Sequence, residues 1–126
     1  MQKQIEGVTR FHQAFRVGFS KYPVADLDPA QKKLRYALMQ EENQEYLQAA
    51  NKNDLVGIAD ALGDMLYILC GTIITHGLQD KIEAIFEEIQ RSNMSKLNTN
   101  GEPIYREDGK VLKGPNYSKP DFSKII

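Results

Sequence analysis

The chain has 126 residues, a formal net charge of −1 and 41% hydrophobic residues, the size of one domain with one modest core. That balance excludes a general nucleic-acid or membrane-surface binder, which relies on a large basic excess. The charge is uneven all the same: residues 1–90 carry 9 Lys and Arg against 13 Asp and Glu, and residues 91–126 carry 7 against 4. An acidic body is followed by a basic tail. Cys70 is the only cysteine, so there is no internal disulfide and a reducing compartment fits; it stands in an apolar run and reads as core. The first six residues are polar, unlike a secretory signal. The longest apolar run, residues 65–75, falls well short of the roughly 20 residues a spanning helix needs. The expectation is a soluble, cytoplasmic protein with a single domain over 1–126, its helical core at about 4–92 and its basic tail at about 93–126.

In chain order, Ile5, Val8, Phe11 and Phe15 fall at helical steps of three and four and predict a first helix over roughly 4–19. Pro23, Asp26, Asp28 and Pro29 break that pattern. Asp28 is a plausible N-cap with Pro29 at the first helical position, which predicts a second helix to about residue 50. Residues 51–54 offer a turn and another cap, and residues 55–75 form a third, apolar helix. Gly77 suits a left-handed C-cap, after which Ile82, Ile85, Phe86 and Ile89 mark a fourth, amphipathic helix ending near Arg91. Beyond Ser92 the turn pairs Asn100-Gly101, Asp108-Gly109 and Gly114-Pro115 end regular helix. Residues 103–113 read as a hairpin with a two-residue turn, Arg106 across from Val111 and Ile104 across from Lys113, which puts Arg106 and Lys113 on one face. The remainder reads as a tail that is flexible or ordered on contact. The fold class is thus all-α, four to five helices with a short C-terminal hairpin or loop tail.

The chemistry concentrates in two helices. In the second, an apolar row through Leu34 and Leu38 continues into Glu41, Glu42 and Glu45, so charges occupy the extension of a buried-type stripe. In the third, the only charged residues among 55–75 are Asp60 and Asp64, one helical step of four apart. They lie nearly opposite the stripe of Leu55, Ala59, Leu62, Leu66, Leu69 and Ile73. Carboxylates aimed at neighbouring helices repel one another and lose hydration, so they call for a cation. An all-oxygen set without His or Cys selects a hard ion, Mg²⁺ first and Mn²⁺ second. The alternative is neutralisation by Arg or Lys. Mg²⁺ held by few carboxylates keeps positions for water and substrate phosphates. A phosphate-bearing ligand follows, with Lys96, Arg106, Lys110 and Lys113 of the basic tail as candidates for its outer phosphates.

The residues Glu41-Glu42-Asn43-Gln44-Glu45 and Asp60-Ala61-Leu62-Gly63-Asp64-Met65-Leu66-Tyr67 resemble the motifs of the MazG-like and phosphoribosyl-ATP-pyrophosphohydrolase-like all-α nucleotide pyrophosphohydrolases. The stretches Arg91-Ser92-Asn93-Met94-Ser95-Lys96 and Asp108-Gly109-Lys110-Val111-Leu112-Lys113-Gly114-Pro115-Asn116-Tyr117 are similar to those of a phage and bacterial subgroup. Asn93 and Tyr117 within them join the candidate substrate contacts. The resemblance covers about residues 5–120. It implies the helical-bundle fold of that family, Mg²⁺ held by Glu42, Glu45 and Asp64, and hydrolysis of a nucleoside triphosphate (NTP or dNTP) to the monophosphate and pyrophosphate. It also implies a homodimer or homotetramer, while the charge balance leaves no nucleic-acid or membrane partner expected.

The family pattern Glu-Glu-x-x-Glu followed by Glu-x-x-Asp is interrupted here by Ala61, and the acid stands one residue earlier, at Asp60. Asp60 is then a substitute ligand, a group that holds a ligand through water, or a base. Glu41 is a second-metal ligand or the group that orients the attacking water, so Glu41 and Asp60 are the candidate catalytic pair. The competing readings are a phosphoribosyl-ATP pyrophosphohydrolase and a noncatalytic nucleotide-binding bundle. Base contacts are open among His12, Phe15, Tyr105 and Tyr117.

Overall fold

In the computed structural model, which describes all 126 residues, four helices follow one another: α1 Gln2–Ala14, α2 Pro29–Asn51, α3 Leu55–Thr75 and α4 Ile82–Met94. The C-terminal segment adds one isolated antiparallel bridge, between Tyr105 and Val111, so the chain is all-α as expected. Two compact units divide at residue 80, Met1–Asp80 and Lys81–Ile126. The expected body and tail divide near residue 92, whereas here α4 groups with the tail.

In the first unit the caps stand where the sequence placed them. Asp28 Oδ1 accepts the Ala30 N–H at 2.8 Å ahead of Pro29, and Asp54 Oδ1 accepts that of Gly57 at 3.0 Å. Each satisfies an amide that the helix start leaves orphaned. Between α2 and α3 only residues 52–54 remain, with Asn53 left-handed at φ 54°, so the helices fold back as an antiparallel pair. The register confirms it: Ala49 lies against Gly57, Glu42 beside Asp64, and Arg35 reaches Ile68 and Thr72.

The first helix stops at Ala14, five residues short of the periodic expectation. Arg16, at φ 56°, turns the chain out of helical geometry, and the following loop is tied to the end of α3. Ser20 N–H donates to the Ile74 carbonyl and Val24 N–H to that of His76, both at 2.9 Å. These bonds provide partners that the continuing helix would have supplied.

The core is small: Ile5, Val8, Ala61, Cys70, Ile73 and Ile74 are its buried apolar side chains. Both α1 and α2 pack on α3, so α3 is central, yet much of its apolar stripe is bare. Leu62 is 50% exposed and Leu69 44%. By length and composition α3 could cross a membrane, but a helix that packs α1 and α2 and carries Asp60 and Asp64 passes the same test as the core helix of a soluble protein. Such a helix does not indicate a membrane protein.

In the second unit, α4 runs three residues beyond the expected end, and the tail is fastened to it rather than loose. Arg91 forms a two-pronged pair with Glu88 and also donates to the Lys119 carbonyl. Glu88 Oε1 further accepts the Asp121 N–H, and Ser95 Oγ that of Ser118. Arg91 and the Asp121 amide together hold the Glu88 carboxyl down at about 2. The hairpin differs from expectation by one residue. Tyr105 opposes Val111, and Arg106 N–H donates to the Lys110 carbonyl. The loop is a three-residue turn closed by Gly109 at φ 84°, the bulged alternative to a two-residue turn. A one-residue slip exchanges faces, so Arg106 and Lys113 do not share one.

Gly77, at φ 67°, shows how tightly the loop is seated: a Cβ there would lie 2.0 Å from the Tyr22 carbonyl oxygen. Gly77→Ala should therefore destabilise the chain by about 2 kcal/mol or more, read as a lowered urea midpoint with an unchanged slope. An unchanged midpoint would show that the contact is not made in solution.

Candidate active site

The α2–α3 seam gathers four of the five acids singled out in the sequence. Glu42 is half-buried, and its carboxyl is pushed above the usual carboxylate range by burial first, then by the neighbouring carboxylates of Glu45, Asp64 and Glu41. Its Oε2 is sealed from solvent and has no hydrogen-bond partner. Antiparallel packing causes this: Glu42 faces the seam two turns after Arg35, at the level where Asp64 arrives from α3.

Two expectations are corrected. The acids are not all inward, because Glu41, Glu45, Asp60 and Asp64 are exposed in this chain and only Glu42 is partly enclosed. The two aspartates are therefore not ions stranded in a core. The alternative of neutralisation finds no support, since the pairs of Lys32 with Asp26, Arg91 with Glu88 and Arg106 with Asp108 leave the five acids without a Lys or Arg. Asp60, finally, stands apart from the charges that act on Glu42. Ala61 is buried, 2% exposed, while Asp60 is exposed; a shift of one residue turns a side chain by about 100° around the helix. The acid at 60 thus projects differently from one at 61.

As placed, no three acidic, His or Cys side chains converge on one point. The donor chemistry nevertheless fits a hard cation: oxygen ligands only, adjacent across the seam, without a competing cation, one oxygen enclosed and unpartnered. An enclosed acceptor of this kind is rare in folded proteins and asks for a ligand.

The tail candidates belong to the second unit. Arg106 is engaged by Asp108 through both prongs of its guanidinium, and Lys113 Nζ sits 4.7 Å from the centre of the Tyr117 ring, a cation–π contact. Asn93 and Lys96 line one cavity with Met94, Leu97, Pro103 and Val111. Lys110 is exposed. Among the aromatic candidates, Phe15 stacks on Phe11 with ring centres 4.5 Å apart, and Phe11 meets Tyr67 edge-on at 5.6 Å. Tyr105 is exposed.

Sequence reasoning missed Arg35. It lies on the row that continues through Leu38 to Glu42 and is 9% exposed, and its place on that stripe was the available signal. His12, considered only as a base contact, is 3% exposed. Burial and the nearby Arg35 push its pKa down, against the hydrogen bond to Gly18, with burial the largest influence.

Comparison with known proteins adds the following. The sequence profile of the phosphoribosyl-ATP pyrophosphohydrolase family matches residues 8–93, more than half the chain. A curated relative, uncharacterized protein L479 of Acanthamoeba polyphaga mimivirus, is 32% identical over 80 residues, which is 64% of this chain. The chain spans only 32% of that relative's length. Among solved structures, a protein of Exiguobacterium sp. 255-15, described provisionally as an NTP pyrophosphohydrolase, is 28% identical with a TM-score of 0.49, covering 93% of this chain and 88% of that one.

Because the folded chain raises the Glu42 pKa, ionised Glu42 opposes folding. The penalty is absent below the unfolded value near 4.5 and grows as pH rises through the folded value. Glu42→Gln should therefore raise the metal-free Tm at pH 7.5, with the gain shrinking toward pH 4. An equal or lower Tm at pH 7.5 would contradict the crowding of carboxylates about Glu42.

Proposed function

Because the chain belongs to the phosphoribosyl-ATP pyrophosphohydrolase family, we propose that it is a Mg²⁺-dependent pyrophosphohydrolase. It would cleave a nucleoside triphosphate between the α and β phosphates, giving the monophosphate and pyrophosphate. The observation that carries this reading is the group of Glu41, Glu42, Glu45 and Asp64, acids drawn together without a Lys or Arg to offset them.

Glu42, Glu45 and Asp64 would hold Mg²⁺, with Mn²⁺ as a substitute; the ion would supply charge neutralisation on the phosphoryl group and a more acidic water. Glu41 and Asp60 are exposed and remain available to orient a water or accept its proton. In the net reaction the water oxygen bonds to phosphorus, the anhydride P–O bond breaks, the water proton passes to a carboxylate or to solvent, and pyrophosphate leaves. Lys96, Lys110 and Lys113, with Asn93 and Tyr117, are the substrate contacts proposed from the second unit. Arg106 enters that role only by leaving Asp108. A second reading, phosphoribosyl-ATP itself as substrate, is favoured by the description of the matching family.

The bare stripe of α3 supports assembly with further copies of the chain, a dimer or tetramer, since single chains seldom leave so much contiguous apolar surface wet. A cytoplasmic setting suits the lone buried thiol of Cys70.

Glu45→Gln and Asp64→Asn should each abolish Mg²⁺-dependent pyrophosphate release while leaving the helical circular-dichroism spectrum unchanged. Turnover retained in both would sink the metal assignment, and a panel of nucleoside triphosphates run beside phosphoribosyl-ATP separates the two substrates. Light scattering at micromolar concentration should give a dimer or larger, and Leu62→Glu should shift it toward monomer. A monomeric wild-type chain would refute the assembly.

A further inference from the structure

Two helical turns along the α2–α3 seam from the acids lies a second constellation, of opposite charge. Arg35 precedes Glu42 by seven residues on α2, and Gly71 follows Asp64 by seven on α3, so each stands on the seam face about 10.5 Å farther along. Arg35 is 9% exposed and no carboxylate pairs with it. Its Nε donates to Thr72 Oγ1 at 3.2 Å and its Nη2 to the Ile68 carbonyl at 3.3 Å, leaving Nη1 without a protein partner. A buried cation ordinarily has a counter-ion.

His12 of α1 comes to the same place. A Cβ on Gly71 would sit 2.9 Å from Arg35 Nη2 and 3.0 Å from His12 Nε2, so the glycine is what lets both side chains close on α3. His12 Nδ1–H donates to the Gly18 carbonyl oxygen at 3.3 Å, which leaves Nε2 as an acceptor lone pair near the guanidinium. Neither Nη1 nor Nε2 is sealed in, since the enclosed, unpartnered side-chain atoms of this chain are Glu42 Oε2 and Gln79 Oε1. Arg35 Nη1 is thus an unpartnered donor within reach of solvent.

We propose that Arg35 forms an anion subsite for a phosphate group, of the substrate or of the pyrophosphate it releases. The placement rests on the pyrophosphohydrolase reading. Arg35 is a binding group for the phosphate chain, its guanidinium supplying charge-assisted hydrogen bonds that a lysine reproduces poorly.

The test uses the full chain freed of metal by EDTA, with sodium pyrophosphate or sodium phosphate as the probe and sodium chloride at matched ionic strength as the reference. Pyrophosphate should raise the wild-type Tm by about 3 °C or more at saturation, shift the Arg35 Nε–H resonance, and do neither in Arg35→Met. Arg35→Lys should show a smaller rise. Stabilisation by phosphate as well would assign the subsite to a single phosphate group, and stabilisation by pyrophosphate alone to the linked pair. No stabilisation of the wild type beyond chloride, an unmoved Arg35 resonance, or an undiminished rise in Arg35→Met would each overturn the proposal. Should Arg35→Met fail to fold, the wild-type shift and Arg35→Lys still decide it. Pyrophosphate bound through Arg35 in a chain that hydrolyses no nucleotide would keep the subsite and discard the hydrolase reading, whereas turnover with an indifferent Arg35 would do the reverse.

Discussion

The seam between α2 and α3 governs this molecule, because it forces like charges together. Glu42 is held beside Glu45, Asp64 and Glu41, and the repulsion is offset by nothing of opposite sign on either helix at that level. The opposing free energy comes from apolar packing of α1 and α2 on α3 and from caps that fix where each helix begins. A three-residue connection leaves the antiparallel register little freedom. Close approach is possible because Gly57 has no side chain to hold Ala49 away; a Cβ there would stand 3.1 Å from that of Ala49. A site that is electrostatically unfavourable when bare is the usual state of an ion-binding carboxylate cluster, and family membership agrees with that interpretation.

The seam is also polar lengthwise. Acids occupy its middle, and Arg35 with His12 lies toward the end away from the α2–α3 turn, against Gly71. The two groups are kept apart by helical pitch, so neither neutralises the other through a direct pair. The bare stripe of α3 lies opposite, on the far side of the same helix.

Much of this was legible in the sequence because caps and periodicity are local. Asp28-Pro29 and Asp54 announced two helix starts, and the apolar run from Leu55 announced α3 to its last residue. The grouping of Glu42 with Asp64 followed from a short turn. What escaped was non-local. The end of α1 depends on loop hydrogen bonds to Ile74 and His76, which no periodic pattern encodes. The hairpin register turned on whether Gly109 sits in a two- or three-residue loop, and Asp108-Gly109 suits either. Arg35 was hidden because burial of a cation depends on which helix meets it. Ala61 is buried in the core and Asp60 is exposed, so the single-residue shift separates Asp60 from the carboxylates around Glu42.

The central claim is that the carboxylates of the seam take a divalent cation. Titrating the isotopically labelled chain with substoichiometric Mn²⁺ and following paramagnetic broadening tests it without any assay of turnover. Resonances of residues around Glu42, Glu45 and Asp64 should broaden first, Arg35 and Gly71 less, and excess Mg²⁺ should restore them. Broadening centred elsewhere, or none until Mn²⁺ is in large excess, would contradict it.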